Sequence, residues 1–344
     1  MNTDDDNVLE IEDLHVHFHT EEGQVRAVDG VSFVIPRGKV MALVGESGCG
    51  KSVTSLAILR LIKKPGSIAG GTIRFRPRDQ DTFDIAALAE GADQLFQLRG
   101  GSISLIHQEP MSALSPVHTI GDQICETILL HQDIGPADAE RLAVDLLGKV
   151  GIPDPEKRIS QYPFELSGGM RQRAVIAIAL VCSPEILIAD EPTTALDVTI
   201  QAQILDLIRD YQRQHGTSAL LITHDLGVVA QLADRVAVMY LGRIVEEADV
   251  RTIMRSPQHP YTMGLLQSLP SLVSSKRRLS SIAGSVPSLA ERPVGCAFHP
   301  RCPYAKPGLC DQAPIPELRA LGDNHTVACT RAEEIDAEHS AGNE

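Results

Sequence analysis

Aromatic side chains are scarce in this sequence of 344 residues: they make up 3% of it, and tryptophan is absent. The hydrophobic fraction is still 43%, so aliphatic side chains must build the core. The chain exceeds one average domain but is short for two full ones. We therefore expect one main domain and a smaller second module.

The sequence also lacks an excess of basic residues, because 45 Asp and Glu face 31 Lys and Arg, for a formal net charge of −14. Domains that bind nucleic acid normally carry a basic face or stripe, so nucleic acid is not an expected partner. The longest apolar run, Ala174 to Cys182, is far too short to span a bilayer. The N terminus lacks the basic and then apolar order of a secretory signal. We expect a soluble, cytoplasmic chain.

Short apolar runs alternate with helical stretches, which predicts a parallel α/β sheet. The clearest runs are Val40–Val44, Ile186–Ala189 and Ala219–Ile222, each continuous in the way of a strand buried on both faces. The first thirty-five residues are also expected to form strands, at Val8–Ile11, Leu14–Phe18 and Val31–Ile35. Apolar residues at helical spacing from Ala139 to Val150 indicate a helical insert.

A phosphate-binding loop follows the first of these runs. Gly45 to Ser52 match GxxxxGK[ST] and precede a predicted helix, Val53–Ile62. Glycines let the backbone turn tightly, so that successive N–H groups and the helix N terminus face the phosphate oxygens. Lys51 would reach the β- and γ-phosphates, and the Ser52 hydroxyl would bind Mg²⁺. The predicted nucleotide contacts of this loop are Gly45, Ser47, Gly48, Cys49, Gly50, Lys51, Ser52 and Val53.

Two acidic residues follow the second apolar run, at the strand end where α/β sheets bind ligands. Asp190 would hold the Mg²⁺ shell, and Glu191 would polarise an attacking water. A solvated acidic turn is the alternative for this pair alone, and the upstream phosphate loop weighs against it. His224 and Gln108 also follow predicted strands, but a histidine at a strand end more often forms structural hydrogen bonds than acts in catalysis, and Gln108 alone carries no functional signal.

A second candidate anion site lies at Ser167, Gly168 and Gly169, within LSGGMRQR at the start of an apolar helix. Together with GESGCGKS before it and LIADEPTTALD after it, this segment resembles the ATP-binding-cassette (ABC) ATPases over roughly residues 8–255. The resemblance implies an ABC-type P-loop NTPase fold over 1–258. It would contain an N-terminal antiparallel β subdomain and a helical subdomain at about 109–178.

The resemblance also assigns roles to single residues. Ser167, Gly168 and Gly169 would contact the γ-phosphate of ATP held by a facing cassette, so that two cassettes close around two nucleotides. Gln108 would be the Q-loop glutamine, sensing the γ-phosphate at the Mg²⁺ site, and Asp197 the D-loop aspartate. His224 would be the switch histidine, which makes Glu191, His224 and Gln108 the catalytic set. Phe18 would stack on adenine, and Ser52, Gln108 and Asp190 would surround Mg²⁺.

One residue of the loop departs from the family pattern. Cys49 stands where serine is common. A thiol at a nucleotide site would react with alkylating reagents unless ATP covered it. We therefore predict partial sensitivity of the ATPase to alkylation, with protection by ATP.

Two further segments, DEPTTALDVTIQAQ and PQHPYT, are similar to the dipeptide and oligopeptide importer ATPases. That resemblance implies a peripheral ATPase at the cytoplasmic face of the inner membrane. Its partners would be a related cassette in a heterodimer, two permease subunits and an extracytoplasmic peptide-binding protein. A nickel- or glutathione-type importer is the alternative. A non-transport ABC ATPase is disfavoured, because the stretch from Gln108 to Ser167 is short and lacks sustained heptads.

Four of the seven cysteines crowd the expected C-terminal extension, residues 259–344: Cys296, Cys302, Cys310 and Cys329. Four thiolates suit Zn²⁺ or a [4Fe–4S] cluster, and a reducing compartment disfavours disulfides. From the chemistry of the thiolates alone, zinc and the cluster are equally expected, and an extension without metal is the third alternative. GCAFHPRCPYA resembles the extension of the peptide-importer ATPases, some of which carry a [4Fe–4S] cluster, and this favours the cluster.

Overall fold

The computed structural model describes residues 6–21, 23–194, 196–268, 282–322 and 324–341. The chain divides into two compact units. Of the described residues, unit 1 contains those up to Leu9, those of Ile35–Val40 and those of Arg74–Ile222, and unit 2 contains those of Glu10–Val34, those of Met41–Ile73 and those from Thr223 onward. Within the described ranges, no helix combines the length and the apolar character needed to cross a bilayer.

The secondary structure follows the α/β order expected from the apolar runs. The strands of the described residues are β1 Asn7–Thr20, β2 Gly23–Pro36, β3 Val40–Val44, β4 Gly66–Phe75, β5 Phe83–Asp84, β6 Ile103–Ile106, β7 Ile186–Asp190, β8 Ser218–Thr223, β9 Arg235–Tyr240, β10 Arg243–Asp249, β11 Arg319–Gly322 and β12 His325–Val327. The helices are α1 Lys51–Ile58, α2 Asp93–Leu98, α3 Pro110–Ala113, α4 Ile120–His131, α5 Pro136–Lys149, α6 Pro155–Arg158, α7 Gly168–Leu180, α8 Val198–His215, α9 Leu226–Leu232, α10 Val250–Arg255, α11 Pro260–Gln267 and α12 Ala332–Ala341.

Unit 1 contains a parallel sheet and a group of helices. Strand β7 lies between β6 and β8, with Ile186 opposite both Ile103 and Ser218. All residues of β7 are buried, as a continuous apolar run predicts. Helices α4, α5 and α7 pack against one another. The capping box of Thr119 and Asp122 starts α4, whose Ile124 and Ile128 are buried.

Unit 2 contains β3, which pairs in parallel with β9, and β9 forms an antiparallel hairpin with β10. The C-terminal extension continues this sheet, because β12 pairs with β10 at Glu246 and Val327, and β11 pairs with β12. Neither of these two short strands was among the predicted elements. Strands β2, β1 and β4 lie in that order in a second sheet. This arrangement confirms the predicted fold class of an α/β P-loop protein with a β subdomain.

Several element boundaries differ from the sequence predictions; β2, for example, begins at Gly23 and not at Val31. Strand β1 runs unbroken through the two predicted segments, although Asp13 within it adopts a left-handed φ of 48°. Helix α1 ends at Ile58 and not at Ile62. Arg60 adopts a left-handed φ of 55°, and the Leu61 N–H donates to the Leu56 carbonyl at 2.8 Å, which closes the helix C terminus.

Candidate nucleotide-binding site

The phosphate-binding loop of unit 2 connects β3 to α1. Gly48 and Gly50 have φ angles of 80° and 106°, in the region that favours glycine. A Cβ atom on Gly50 would lie 2.3 Å from the Ala27 carbonyl oxygen, so no other residue fits there without movement. The helix begins directly after this glycine, at Lys51. The loop therefore ends at a helix N terminus, whose free N–H groups suit an anion.

The Lys51 side chain lies along the loop that precedes it. It is buried, and its ammonium donates to the carbonyl oxygens of Gly45 at 2.8 Å and Glu46 at 3.1 Å. Ser47 and Ser52 are exposed. The loop thus presents one positive charge, hydroxyl groups and helix N–H groups, which is the chemistry that a nucleotide phosphate with Mg²⁺ requires.

Cys49 contradicts our prediction about alkylation. Its side chain has no exposed surface. Burial raises the pKa of the thiol above its usual value, although the Lys51 ammonium opposes this shift. The thiolate is the reactive form of cysteine, so both its inaccessibility and its pKa argue against alkylation in the folded protein.

The carboxyl end of β7 in unit 1 carries the predicted acidic pair. Asp190 is the last residue of the strand and is buried. Glu191 follows it with a φ of 47°, which is uncommon for a residue with a side chain. The Glu191 N–H donates to the Ile222 carbonyl at the end of β8, at 2.8 Å. A strained residue held in this way at a strand end is typical of a functional position.

The structure brings two of the three predicted catalytic residues together. The Glu191 carboxylate accepts hydrogen bonds from the Gln108 amide at 3.1 Å and from the Thr194 hydroxyl at 2.8 Å. Thr194 was not among the predicted site residues. Gln172 was not predicted either; it is a buried residue of α7 whose amide donates to the Pro192 carbonyl at 2.7 Å. A polar residue within an apolar helix was the available signal for Gln172.

The signature residues and the predicted D-loop aspartate lie at helix N termini in unit 1. Ser167 caps α7, where its hydroxyl accepts the Met170 N–H at 3.4 Å. Gly168 starts the helix, and nothing lies within 4 Å of where its Cβ would be. Asp197 caps α8 by accepting two backbone N–H groups, at 3.1 and 3.0 Å. Ser167 and Asp197 are both exposed, so the N termini of α7 and α8 face solvent in the monomer.

Two further predicted residues lie in unit 2. His224 directly follows β8 and is exposed. Asp225 after it caps α9, accepting the Gly227 N–H at 2.7 Å. Phe18, near the end of β1, packs its ring against Gly66, where a Cβ atom would lie 2.5 Å from the ring edge. The ring is partly exposed, as an adenine-stacking residue must be.

The four clustered cysteines line one small cavity in unit 2, together with His259, Phe298 and Arg331. Burial raises the pKa of Cys296 to about 11 and that of Cys302 to about 12. The cavity measures about 20 Å³. Four sulfur ligands around one cavity are a donor set suited to a soft metal or an iron–sulfur cluster.

A second group of potential metal ligands is less suited to a metal ion. His15, His17 and Asp29 form the one group of three or more His, Cys, Asp or Glu residues, among those described, whose ligand atoms all lie within 4.8 Å of one another. Asp29, however, is already paired with Arg243 and Arg292. Although burial opposes them, these arginines hold the pKa of Asp29 below its usual value. Two positive charges on the carboxylate disfavour a cation there.

Comparison with protein families gives two matches. Residues 28–194 match a model described as ABC transporter, and residues 245–310 match one described as the C-terminal region of oligopeptide/dipeptide transporters. The second match includes three of the four clustered cysteines, Cys296, Cys302 and Cys310.

Individual relatives match nearly the whole chain. A putative peptide import ATP-binding protein of Brucella abortus is 51% identical over 337 residues, which cover 96% of this chain and 98% of the relative. The dipeptide transport ATP-binding protein DppD of Bacillus subtilis is 49% identical, with 94% of each chain covered. A solved dimeric ATP-binding cassette with ADP and Pi has a TM-score of 0.62 at 23% identity, covering 71% of this chain and 99% of that one. At that identity the likeness concerns the fold alone.

Proposed function

This chain belongs to the ABC transporter family of ATP-binding subunits, and from that premise we propose that it hydrolyses ATP to power uptake of di- or oligopeptides through a membrane permease. The hydrolytic part rests on one observation, the hydrogen bond from Gln108 to the strained Glu191 at the end of β7. The peptide part is supported by relatives such as the dipeptide transport protein DppD, which covers the extension as well as the cassette.

We propose the following division of labour at the nucleotide. The loop N–H groups from Gly45 to Val53 and the Lys51 ammonium bind the phosphates, while Phe18 stacks on adenine. Ser52, Asp190 and Gln108 surround Mg²⁺, and Glu191 polarises the attacking water. Gln108 and Thr194 orient the Glu191 carboxylate through the hydrogen bonds described above. His224 contacts the γ-phosphate, where its donor stabilises charge that develops during the transfer.

A second cassette completes the site in this proposal. Ser167, Gly168 and Gly169 offer a helix N terminus that faces solvent and suits the γ-phosphate of a nucleotide on a facing subunit. Asp197 lies near the same contact. We propose that the facing subunit is a related cassette in a heterodimer.

Exposed apolar side chains near the signature support a contact with a permease. The rings of Tyr162 and Phe164 stack at a centroid distance of 5.5 Å, and Phe164 is 62% exposed. Contiguous exposed apolar surface marks protein interaction sites, and the stacked Tyr162 and Phe164 rings form such a surface. We propose that this pair of rings contacts the permease at the cytoplasmic face of the inner membrane.

Co-purification tests the transport proposal. The Glu191→Gln variant, tagged and expressed in the native cell, should hold ATP and so retain its partners when membranes are extracted in mild detergent. We expect two permeases with several membrane spans, a sister cassette and a peptide-type binding protein. Recovery of soluble partners alone would remove the transport proposal. Recovery of a nickel- or glutathione-type binding protein would replace the substrate.

We propose that Cys296, Cys302, Cys310 and Cys329 hold a [4Fe–4S] cluster, with zinc as the alternative. The four sulfurs line one cavity and form a donor set that suits such a cluster, which would hold this Pro- and Gly-rich segment together. The resemblance of GCAFHPRCPYA to extensions that carry a [4Fe–4S] cluster favours it over zinc.

Metal analysis of anaerobically purified protein tests this proposal. We expect visible absorbance, about four irons and about four acid-labile sulfides per chain. Cys302→Ser should lose them, whereas Cys125→Ser, a cysteine outside the cluster, should retain them. Stoichiometric zinc without sulfide would overturn the cluster in favour of the alternative.

A further inference from the structure

The C-terminal extension makes direct contact with the phosphate-binding loop. The Arg301 guanidinium donates two hydrogen bonds to the Glu46 carboxylate, from Nη1 to Oε2 at 2.6 Å and from Nη2 to Oε1 at 2.9 Å. Glu46 is the second residue of the loop, and Arg301 directly precedes Cys302 in the extension. Bidentate pairing of this kind fixes the orientation of both groups.

The environment of this ion pair makes it stronger than a typical surface pair. The Arg301 side chain is 4% exposed and that of Glu46 is 28% exposed. Arg301 is itself held in place, because its Nε donates to the Ala283 carbonyl at 3.1 Å. Its guanidinium also lies over the Phe298 and Tyr240 rings, 5.9 Å from each centroid. Because these contacts hold the guanidinium in place, it loses little entropy on pairing with the carboxylate.

A second contact holds the backbone of the same residue. The Glu46 N–H donates to the Tyr261 hydroxyl at 2.7 Å. Tyr261, at the start of α11, is fully buried and packs with Tyr240 and Phe298, at centroid distances of 4.7 and 5.4 Å. Glu46 is therefore fixed at its side chain by Arg301 and at its main chain by Tyr261.

These contacts continue to the residue that binds phosphate. The carbonyl oxygen of Glu46 accepts a hydrogen bond from the Lys51 ammonium at 3.1 Å. Glu46 thus connects the extension to Lys51. Its carboxylate and its N–H contact the extension, and its carbonyl oxygen contacts the lysine. The direction of the Gly45–Gly50 backbone sets where the loop N–H groups point, and small displacements of such groups weaken an anion site sharply.

We propose that Arg301 is a positioning residue for the ATP site, by which the C-terminal extension holds the phosphate-binding loop in its nucleotide-binding shape through Glu46. Arg301 does not touch the nucleotide in this arrangement. The extension is then part of the nucleotide site, and a change in the extension alters ATP affinity. The proposal concerns the loop alone and holds whatever peptide or other solute the transporter carries.

The test compares ATP binding and ATP hydrolysis in Arg301→Gln, Glu46→Gln and the double variant. We expect Arg301→Gln to raise both the KM for ATP and the Kd of a fluorescent ATP analogue by about tenfold, with a smaller change in kcat. Because Arg301 acts through Glu46, adding Glu46→Gln should cause little further change. Arg301→Lys, which keeps the charge but not the bidentate geometry, should recover part of the affinity.

Arg292→Gln is the matched control. Arg292 is also a poorly exposed arginine of the extension that pairs with a carboxylate, Asp29, and it donates to the Leu241 carbonyl at 2.7 Å. Its carboxylate partner lies outside the phosphate loop, so its loss should lower thermal stability without the rise in KM. Equal rises in KM for the two arginine variants, or additive effects of Arg301→Gln and Glu46→Gln, would overturn the proposal. If Arg301→Gln does not fold, an unchanged KM in Glu46→Gln would overturn it as well.

Discussion

Acidification should weaken the attachment of the extension through His259, the residue that caps helix α11. His259 is buried, and its Nδ1 accepts the Tyr261 N–H at 3.1 Å. The His259 backbone N–H donates to the buried Glu246 carboxylate at 2.9 Å. Burial lowers the pKa of the imidazole from 6.5 to about 4, although the Glu246 charge opposes that shift. A protonated ring would also lose its role as an acceptor at Nδ1.

The sign and size of the effect follow from the two pKa values. About one pH unit above 6.5 the imidazole is largely neutral in both the folded and the unfolded chain, so nearly the full stability is present. As the pH falls from 6.5 towards 4, His259 takes up a proton in the unfolded chain but stays neutral in the folded chain. The loss in the free energy of unfolding should be about 2 kcal/mol at pH 5 and should approach about 3 kcal/mol below pH 4.

Urea unfolding at pH 7 and pH 5 measures this loss, with His259→Asn as the matched variant. Asparagine can accept the same N–H at a helix N-cap, but it does not titrate in this range. The parent should lose about 2 kcal/mol more than the variant between the two pH values, since the other titrating groups are common to both. Equal losses in the two proteins would refute the role assigned to His259.

Three further perturbations test other parts of the structure. Glu246→Gln should lower the free energy of unfolding by about 2 kcal/mol, because the carboxylate accepts hydrogen bonds from two backbone N–H groups and from His325 at 2.8 Å. Urea midpoints at pH 7 measure this loss, and an unchanged midpoint would contradict it. Cys49 should resist iodoacetamide in the folded protein and react after denaturation, as peptide mass mapping would record; rapid modification of the native chain would contradict its burial. Gln172→Leu should lower kcat more than it changes the KM for ATP, because it removes the hydrogen bond to the carbonyl of Pro192, the residue that follows Glu191. Steady-state kinetics measure both constants, and an unchanged kcat would refute this link.

The parts of the fold that the sequence predicted are those with local signals. The apolar run Val40–Val44 became a strand with the same bounds, and the loop from Gly45 to Ser52 leads into a helix as its pattern requires. Residues that depend on a left-handed backbone were not foreseen. Arg60 ends α1 early, and Asp13 lies inside a continuous strand, since no composition signal marks either residue.

Contacts between distant parts of the chain were beyond local patterns. Arg301 and Glu46 are 255 positions apart, and nothing in the sequence around either residue indicates the other. The same holds for the pairing of β12 with β10, which attaches the extension to the hairpin. The candidate site shows the contrast well. The acidic pair at a strand end identified Glu191 and the family resemblance identified Gln108, while Thr194 became apparent only from its hydrogen bond to the Glu191 carboxylate.

The central claim is that this chain binds and hydrolyses ATP with Glu191 as the residue that polarises water, and steady-state hydrolysis by Glu191→Gln tests it most directly. The account predicts that the variant binds a fluorescent ATP analogue as the parent does but turns over at least about 100-fold more slowly. Glu109→Gln, a change at an exposed acid beside Gln108, should keep the parent rate. Hydrolysis by Glu191→Gln at the parent rate would contradict the account.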